Sequence, residues 1–445
     1  MNLFFRFFYG VYRIFSGAGR WFKRRFTRAG LSVLACLVIV GGLAPDTDNN
    51  IAYQAFGILF GLVVVSVLAS PPFRARFAVE RHLPRFGTAG TPFSYSVTVR
   101  NLTRRRQAGL ALLDTVAGQH PSFQEWKDAQ IFESRGSFRI SRRHRARPFR
   151  PAKVKPVPVP ELGPNQAGDM RVEITPLKRG VLRFEAVTLA RPDPLGLFCA
   201  LRKVPALQSV LVLPRRYPLP PIALPGVLKY QEGGVALASN VGQSEEFVAL
   251  RDYRQGDPLR HIHWRTWARV GKPVVKEFED EFFVRHALVL DTFTRRGSGE
   301  AFEEAVSVAA SFACTILTQE SLLDLLFVGT QSFCFTGGRG LAHADQMLEI
   351  LASVAPCPEG SFEALRTLVL NRVRGVSGCI CVMLSWDKPR QELVRQLQTL
   401  GIPVMVMVVV EPGERAGIHA GVMDLAPDRF HVLEAGQIEE GLAAL

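Results

Sequence analysis

Residues Glu245–Glu281 read EEFVALRDYRQGDPLRHIHWRTWARVGKPVVKEFEDE. Arg251, Asp252, Arg254, Asp257, Arg260, Arg265 and Arg269 crowd around Tyr253, Trp264 and Trp267, and the run closes on Glu277, Glu279, Asp280 and Glu281. A solvated helix would alternate its charges with Ala, Gln or Lys and would have little use for two tryptophans and a Gly256-Asp257-Pro258 turn. Guanidinium groups stack on aromatic faces and grip carboxylates through paired hydrogen bonds. The stretch is therefore expected to form a buried or interfacial polar network carried by Arg251, Tyr253, Asp257, Arg260, Trp264, Arg269 and Glu277.

From Leu250 to Glu281 the pattern L-R-x-Y-x-x-G-D-x-x-R-x-I-x-W-x-x-x-A-R-x-G-x-x-x-V-K-E-x-E-x-E resembles the signature of the domain of unknown function 58 family. Arg179-Gly180 and the run Arg191–Leu197 (RPDPLGL) resemble the family's R-G and D-P-x-G-L motifs. The resemblance implies a bacterial, membrane-anchored protein with a von Willebrand factor A-like α/β domain and no settled activity. It also implies association with a MoxR-type AAA+ ATPase, and often with a transglutaminase-like membrane protein.

Outward from this stretch, 445 residues exceed a single ordinary domain. Apolar residues make up 47% and charged residues 21%, which suits a membrane protein with large soluble parts. The net charge of +14 is concentrated in the first 30 positions and in Arg135–Lys155, pointing to an anionic surface. The seven cysteines are scattered and include no C-x-x-C pair, as expected of reduced structural thiols.

Residues 1–28 interleave aromatics with Arg and Lys and contain no acid. Such an arm suits the cytoplasmic face of an anionic lipid surface, the alternative being a disordered basic tail. Apolar runs at Ala29–Ala44 and Ile51–Ala69 are separated by the polar Pro45–Asn50. With basic residues outside both ends, residues 29–70 are expected to form a two-helix transmembrane hairpin in the bacterial inner membrane, both ends cytoplasmic. A cleaved signal peptide is the rival for the first run, but Pro45 would directly follow the cut. Neither run contains Asp, Glu, Lys, Arg or His, so the hairpin is read as an anchor.

Residues 75–215 change period. Phe93–Val99, Val172–Ile174, Val181–Phe184 and Ala186–Leu189 alternate like strands and are punctuated by Pro and Gly, predicting an antiparallel β-sandwich-like domain. Arg135–Lys155 carries nine Arg or Lys with interleaved Phe138 and Phe149. No recognition helix or RNA-binding signature accompanies it, so a membrane-proximal loop is expected and nucleic acid is not. Residues 216–282 combine a Pro- and Gly-rich connector with the signature.

Residues 283–445 alternate buried strands (Val284–Leu290, Leu322–Val328, Phe333–Phe335, Cys379–Leu384, Val404–Val410, Phe430–Leu433) with helical patterns. The helices are expected over Glu300–Thr318, Ala342–Val354, Phe362–Arg372, Pro389–Leu400 and from Gly436. This specifies a mostly parallel, doubly wound sheet, and the resemblance makes it a von Willebrand A-like domain. No G-x-G-x-x-G or Walker A pattern accompanies a strand-to-helix turn.

Such domains hold a Mg²⁺ ion through D-x-S-x-S after the first strand, hydroxyls and a carboxylate suiting a hard cation. Here Asp291-Thr292-Phe293-Thr294-Arg295 keeps the Asp and displaces the hydroxyls. The site reads as degenerate, with Asp291, Thr294 and Asp387 the only candidate ligands. The other reading makes Asp291 a cap on the strand end. No cofactor is expected.

His261 and His263, spaced as on one side of a strand, could join Asp257 in a metal or acid/base trio. Arg254, Arg260, Arg265 and Arg269 crowd that trio with positive charge. Two functions remain: a non-enzymatic membrane-anchored scaffold working with a MoxR-type ATPase, or a membrane-bound hydrolase using Asp257, His261 and His263.

Overall fold

The computed structural model describes residues 2–43, 50–118, 150–220, 247–278 and 285–445, together with Phe123 and Trp126, apart from 71, 72, 74, 258, 295–298, 319–321, 339, 340, 359 and 374. Most of the basic run Arg135–Lys155, most of the connector, the Pro45–Asn50 loop up to residue 49 and the acidic group Glu279–Glu281 lie outside the described residues. The chain divides into two compact units, Met1–Arg215 and Arg216–Leu445.

The first unit begins with helices α1 (Asn2–Arg25), α2 (Arg28–Leu43) and α3 (Asn50–Ala69). In α1, the pairs Phe7-Phe8, Ile14-Phe15 and Trp21-Phe22 repeat every seven residues, nearly two helical turns, and so share one face, and all are exposed. The opposite face lays Tyr9 and Tyr12 against the buried Trp126, with ring centroids 5.7 and 5.9 Å away. Helices α2 and α3 pack together where Gly41 leaves room for the Phe56 ring; a Cβ there would sit 3.2 Å from it. Among the described residues one segment, Ile51–Ala69, is long and apolar enough to cross a membrane. At 16 residues α2 falls short of that length, so two spans do not follow from the helices themselves.

The strands of this unit are β1 (Phe77–His82), β2 (Phe86–Thr88), β3 (Phe93–Asn101), β4 (Ala111–Val116), β5 (Ala152–Val154), β6 (Val157–Pro158), β7 (Ala167–Pro176), β8 (Gly180–Pro192) and β9 (Cys199–Leu213). They form a four-stranded sheet in the order β1-β3-β7-β5 and a five-stranded sheet in the order β2-β9-β8-β4-β6. Inward residues of both, among them Val97, Val172, Leu112, Phe184 and Val212, share one buried core. The two short runs expected at 181–184 and 186–189 are a single strand, bulged between Phe184 and Ala186.

The turn joining β8 to β9 has a second use. Asp193 accepts the N–H groups of Leu197 and Phe198, both at 2.7 Å, and of Leu195 at 3.1 Å. It also accepts the hydroxyl of Ser66, which is fully buried on α3. Burial opposes the Asp193 charge, but these four donors outweigh it and hold its carboxyl below the usual range. On the same turn, Gly196 and Leu197 carbonyls accept Thr27 Oγ1 (2.6 Å) and Thr27 N–H (3.1 Å). Gly30 is obligatory beside it: a Cβ would lie 2.1 Å from the Leu197 oxygen. The D-P-x-G-L motif is thus the socket that fixes the α1–α2 junction and α3 to the sheets.

In the second unit, β12 (Arg285–Leu290), β13 (Leu322–Val328), β14 (Ser332–Gly337), β15 (Gly378–Met383), β16 (Val404–Val410) and β17 (Phe430–Glu434) form one sheet in the order β14-β13-β12-β15-β16-β17. All neighbours are parallel except β13 and β14. Its strands are nearly continuous Val, Leu, Ile, Met and Cys because both faces are buried. A two-stranded ribbon, β10 (Phe247–Asp252) with β11 (Val274–Phe278), precedes the sheet. The helices are α4 (Trp264–Val270), α5 (Glu300–Thr318), α6 (Leu341–Ser353), α7 (Phe362–Arg372), α8 (Lys388–Thr399) and α9 (Ile438–Ala443).

Candidate functional site

The signature stretch folds as a ribbon closed by a short helix. Gly256, at φ +111°, allows the turn after β10, and Asp257 accepts the Arg254 N–H at 2.8 Å across it. Arg251 grips both Asp257 oxygens, Nη1 to Oδ2 at 2.7 Å and Nη2 to Oδ1 at 2.9 Å. The Arg251 hydrogen bonds, then the Arg254 N–H, hold the Asp257 carboxyl down at about 2. Ile262 bridges to Val275 and, with Val274 and Val275, is buried.

Of the expected network, the described residues show the Arg251–Asp257 ion pair. Trp264 stacks on Trp267, three residues along the same helix face, with centroids 5.1 Å apart and planes 20° apart. Trp264 remains 63% exposed, and Leu259, Arg260, Arg265, Arg269 and Val270 are exposed as well. Arg269 lies in the last turn of α4, where a cation complements the carbonyl end. Tyr253 is half-buried, its N–H bonded to the Pro273 carbonyl at 2.9 Å. Glu277 is placed on β11 opposite Ala249.

The histidines do not sit on a strand. His261 ends a 3₁₀ turn and its Nε2 receives Arg260 Nε at 3.3 Å. His263 is the N-cap of α4, its Nδ1 2.6 Å from Thr266 Oγ1. With Asp257 held by Arg251, the three groups are committed to separate bonds. The Gly256 turn, and the His263 cap that follows it, make a helix start here rather than an extended run.

The second constellation lies where strand order reverses. The chain leaves β12 towards β13 and leaves β15 towards β16, so the ends of β12 and β15 border the crevice that open α/β sheets reserve for ligands. Asp291 follows β12 and Asp387 follows β15, as the candidate ion site requires. Between them stands the guanidinium of Arg390, from the first turn of α8. Its Nε donates to Asp291 Oδ2 at 2.7 Å, its Nη1 to Asp387 Oδ2 at 2.8 Å and its Nη2 to the Phe293 carbonyl at 3.2 Å. Its plane lies 4.7 Å from the Phe362 centroid. Asp291, fully buried, also accepts Phe293 N–H at 3.0 Å and Leu384 N–H at 3.1 Å.

Burial pushes the Asp291 carboxyl up, while the Arg390 charge and hydrogen bond, with the Leu384 and Phe293 N–H groups, pull it back. Three donors aim at it, so the ionised form is the one this geometry serves. Burial likewise opposes the Arg390 charge, and Asp291 and Asp387 more than restore it, holding its pKa above the ordinary range. The residues do not fit Mg²⁺ while the guanidinium fills the space between the carboxylates. Thr294 lies half-buried, and Thr292, which is buried, donates its hydroxyl to the Val328 carbonyl. Asp291 does cap its strand, as the simpler reading held. Arg390 was missed, although a signal existed. A basic residue three places after the N-cap Asp387 opposes the helix dipole and demands a carboxylate partner.

Residues 249–426 match the family described as Protein of unknown function DUF58. Uncharacterized protein YeaD of Bacillus subtilis (strain 168) is 30% identical over 192 residues, 42% of this chain and 46% of that protein. The chain thus spans about half the length of this relative. Among solved structures, the CARDB domain of a Pyrococcus furiosus protein covers 31% of this chain and 94% of its own at 14% identity, with a TM-score of 0.17. An ASH/PapD-like domain of human CEP192 covers 30% and 84% at 11% identity, with a TM-score of 0.16. At these scores the structural likenesses carry no argument.

Proposed function

We propose that this chain, which carries the DUF58 region at residues 249–426, is a membrane-anchored scaffold that docks a protein partner on the signature ribbon rather than turning over a substrate. The observation that carries this reading is the exposed Trp264 stacked on the half-buried Trp267, flanked by the exposed Leu259, Val270, Arg265 and Arg269. Exposed indoles beside arginines are the side chains that supply most of the energy at protein interfaces. The partner proposed is a MoxR-type AAA+ ATPase, with a transglutaminase-like membrane protein as a second member of the assembly.

The anchor is the α2–α3 pair read as a hairpin, with the exposed aromatic face of α1 lying on an anionic inner leaflet and both units cytoplasmic. Exposed Arg6, Arg13 and Lys23 beside that aromatic face support this placement. The sheet order of the second unit supports a von Willebrand A-like head, and the shared core of the first supports a sandwich.

The test is affinity capture of the full chain from native membranes, wild type against Trp264→Ala. Trp264 is exposed, so the variant is expected to melt within about 1 °C of wild type and to lose at least tenfold in ATPase recovered. Equal recovery from both proteins, or substrate turnover by the purified chain alone, overturns the reading.

A further inference from the structure

The crevice between β12 and β15 is filled from within by the chain itself. Its acceptors are two carboxylates and one backbone carbonyl, all oxygen, which is the donor set a hard divalent cation selects. All three receive hydrogen bonds from a single guanidinium, at 2.7, 2.8 and 3.2 Å. Arg390 comes from α8, whose N-cap is Asp387 itself, so one of the two carboxylates and the positive charge are fixed by the same helical turn. The Phe362 ring closes one face of the guanidinium.

We propose that Arg390 is a tethered cation standing where a divalent metal would sit, so that the head is metal-independent and the crevice accepts a metal only when Arg390 is removed. The charge balance supports the exchange. Asp291 and Asp387 present two negative charges, which a monovalent guanidinium meets through directed hydrogen bonds and a divalent ion would meet through coordination. A guanidinium cannot be released, chelated or exchanged, so the joint between the end of β12 and the start of α8 is permanently closed. A partner's carboxylate therefore cannot be captured through a bound metal here, which leaves recognition to other surfaces. The inference stands on the crevice alone and does not depend on what docks at the signature ribbon.

The experiment follows thermal unfolding and Mn²⁺ binding, the latter by electron paramagnetic resonance, for the full chain in detergent. Wild type is expected to melt at the same temperature in EDTA and in millimolar Mn²⁺, and to leave the Mn²⁺ signal unchanged. Arg390→Ser is expected to melt lower in EDTA. It should then recover by roughly 5–10 °C at Mn²⁺ a hundredfold above its dissociation constant. Adding Asp387→Asn to that variant is expected to abolish the recovery. Arg390→Lys retains a tethered charge and is expected to be indifferent to Mn²⁺. Saturable Mn²⁺ stabilisation of wild type overturns the proposal, as does a folded Arg390→Ser that ignores Mn²⁺. Should Arg390→Ser fail to fold in either buffer, Arg390→Lys decides: indifference supports the tethered cation, and dependence on Mn²⁺ overturns it.

Discussion

Two arginine–aspartate pairs in the second unit have the same shortest N···O distance and opposite surroundings. Arg251 meets Asp257 at 2.7 Å with side chains 32% and 16% exposed, whereas Arg390 meets Asp291 at 2.7 Å with side chains 7% and 0% exposed. Bond length therefore does not set their worth. In the ribbon, water screens the pair and rehydrates either partner left alone. In the crevice, the same pair stands in a low-dielectric site where a single charge has nowhere to go. The first can be spent on recognition at a surface, and the second holds the fold.

The largest effect should come from breaking the buried pair. Arg390→Met leaves Asp291 uncompensated and is expected to cost about 3–5 kcal/mol, a drop of roughly 10 °C in the melt. Adding Asp291→Asn removes the stranded charge and should recover most of that loss. A double-mutant cycle on the full chain measures the coupling. If the double variant is no more stable than Arg390→Met, the loss comes from packing on Phe362 and the contrast between the two pairs loses its basis.

What the sequence made legible follows the same division between repeated and single signals. Glu300–Thr318 was readable as a helix because Phe302, Ala305, Val306, Ala309 and Ala313 repeat a helical spacing, and the structure has it at those residues. Val404–Val410 was readable as a buried strand because it is an uninterrupted apolar run, and Leu322–Val328 because Asp324 alone interrupts its apolar residues. Strand β4 escaped notice because its buried face includes Asp114 and Thr115, which look like loop residues until their partners are known. Strand β9 escaped because much of it faces outward and shows little alternation. For the site, Asp291 and Asp387 were placed by position after their strands. Arg390 was not, because Asp291 lies 99 residues away and only the folded sheet brings it to the Asp387 turn. The Asp193 socket was seen as a motif but not as a function, since Ser66 is 127 residues distant.

A third pair sharpens the comparison at intermediate size. In the first unit Arg81 grips Asp114 with both side chains fully buried, and Tyr95 adds its hydroxyl to Asp114 at 2.6 Å. Burial pushes the Asp114 carboxyl up, against the pull of Tyr95 and Arg81. Tyr95→Phe leaves the ion pair standing but removes one donor from a buried charge. The expected loss is about 1.5–3 kcal/mol in chemical unfolding, below that of Arg390→Met. A loss under about 0.5 kcal/mol would mean that Arg81 alone satisfies the carboxylate.

The smallest effect belongs to the ribbon, and acid is the means of reading it. Asp257 is held at about 2 when folded, below its ordinary value, chiefly by the Arg251 hydrogen bonds. A depressed carboxyl binds fewer protons in the folded than in the unfolded chain, so its contribution is complete above the ordinary carboxylate range and fades as the pH falls through 2. Arg251→Ala removes the cause of the depression. Its melting temperature is expected to fall within about 2 °C of wild type at pH 7, and the remaining gap to close as the pH is lowered from about 4 towards 2. Paired melts across that range decide the matter. A gap as wide as that of Arg390→Met, or one that stays constant down to pH 2, would show that Arg251 contributes something other than its bond to Asp257, and exposure would no longer separate the two pairs.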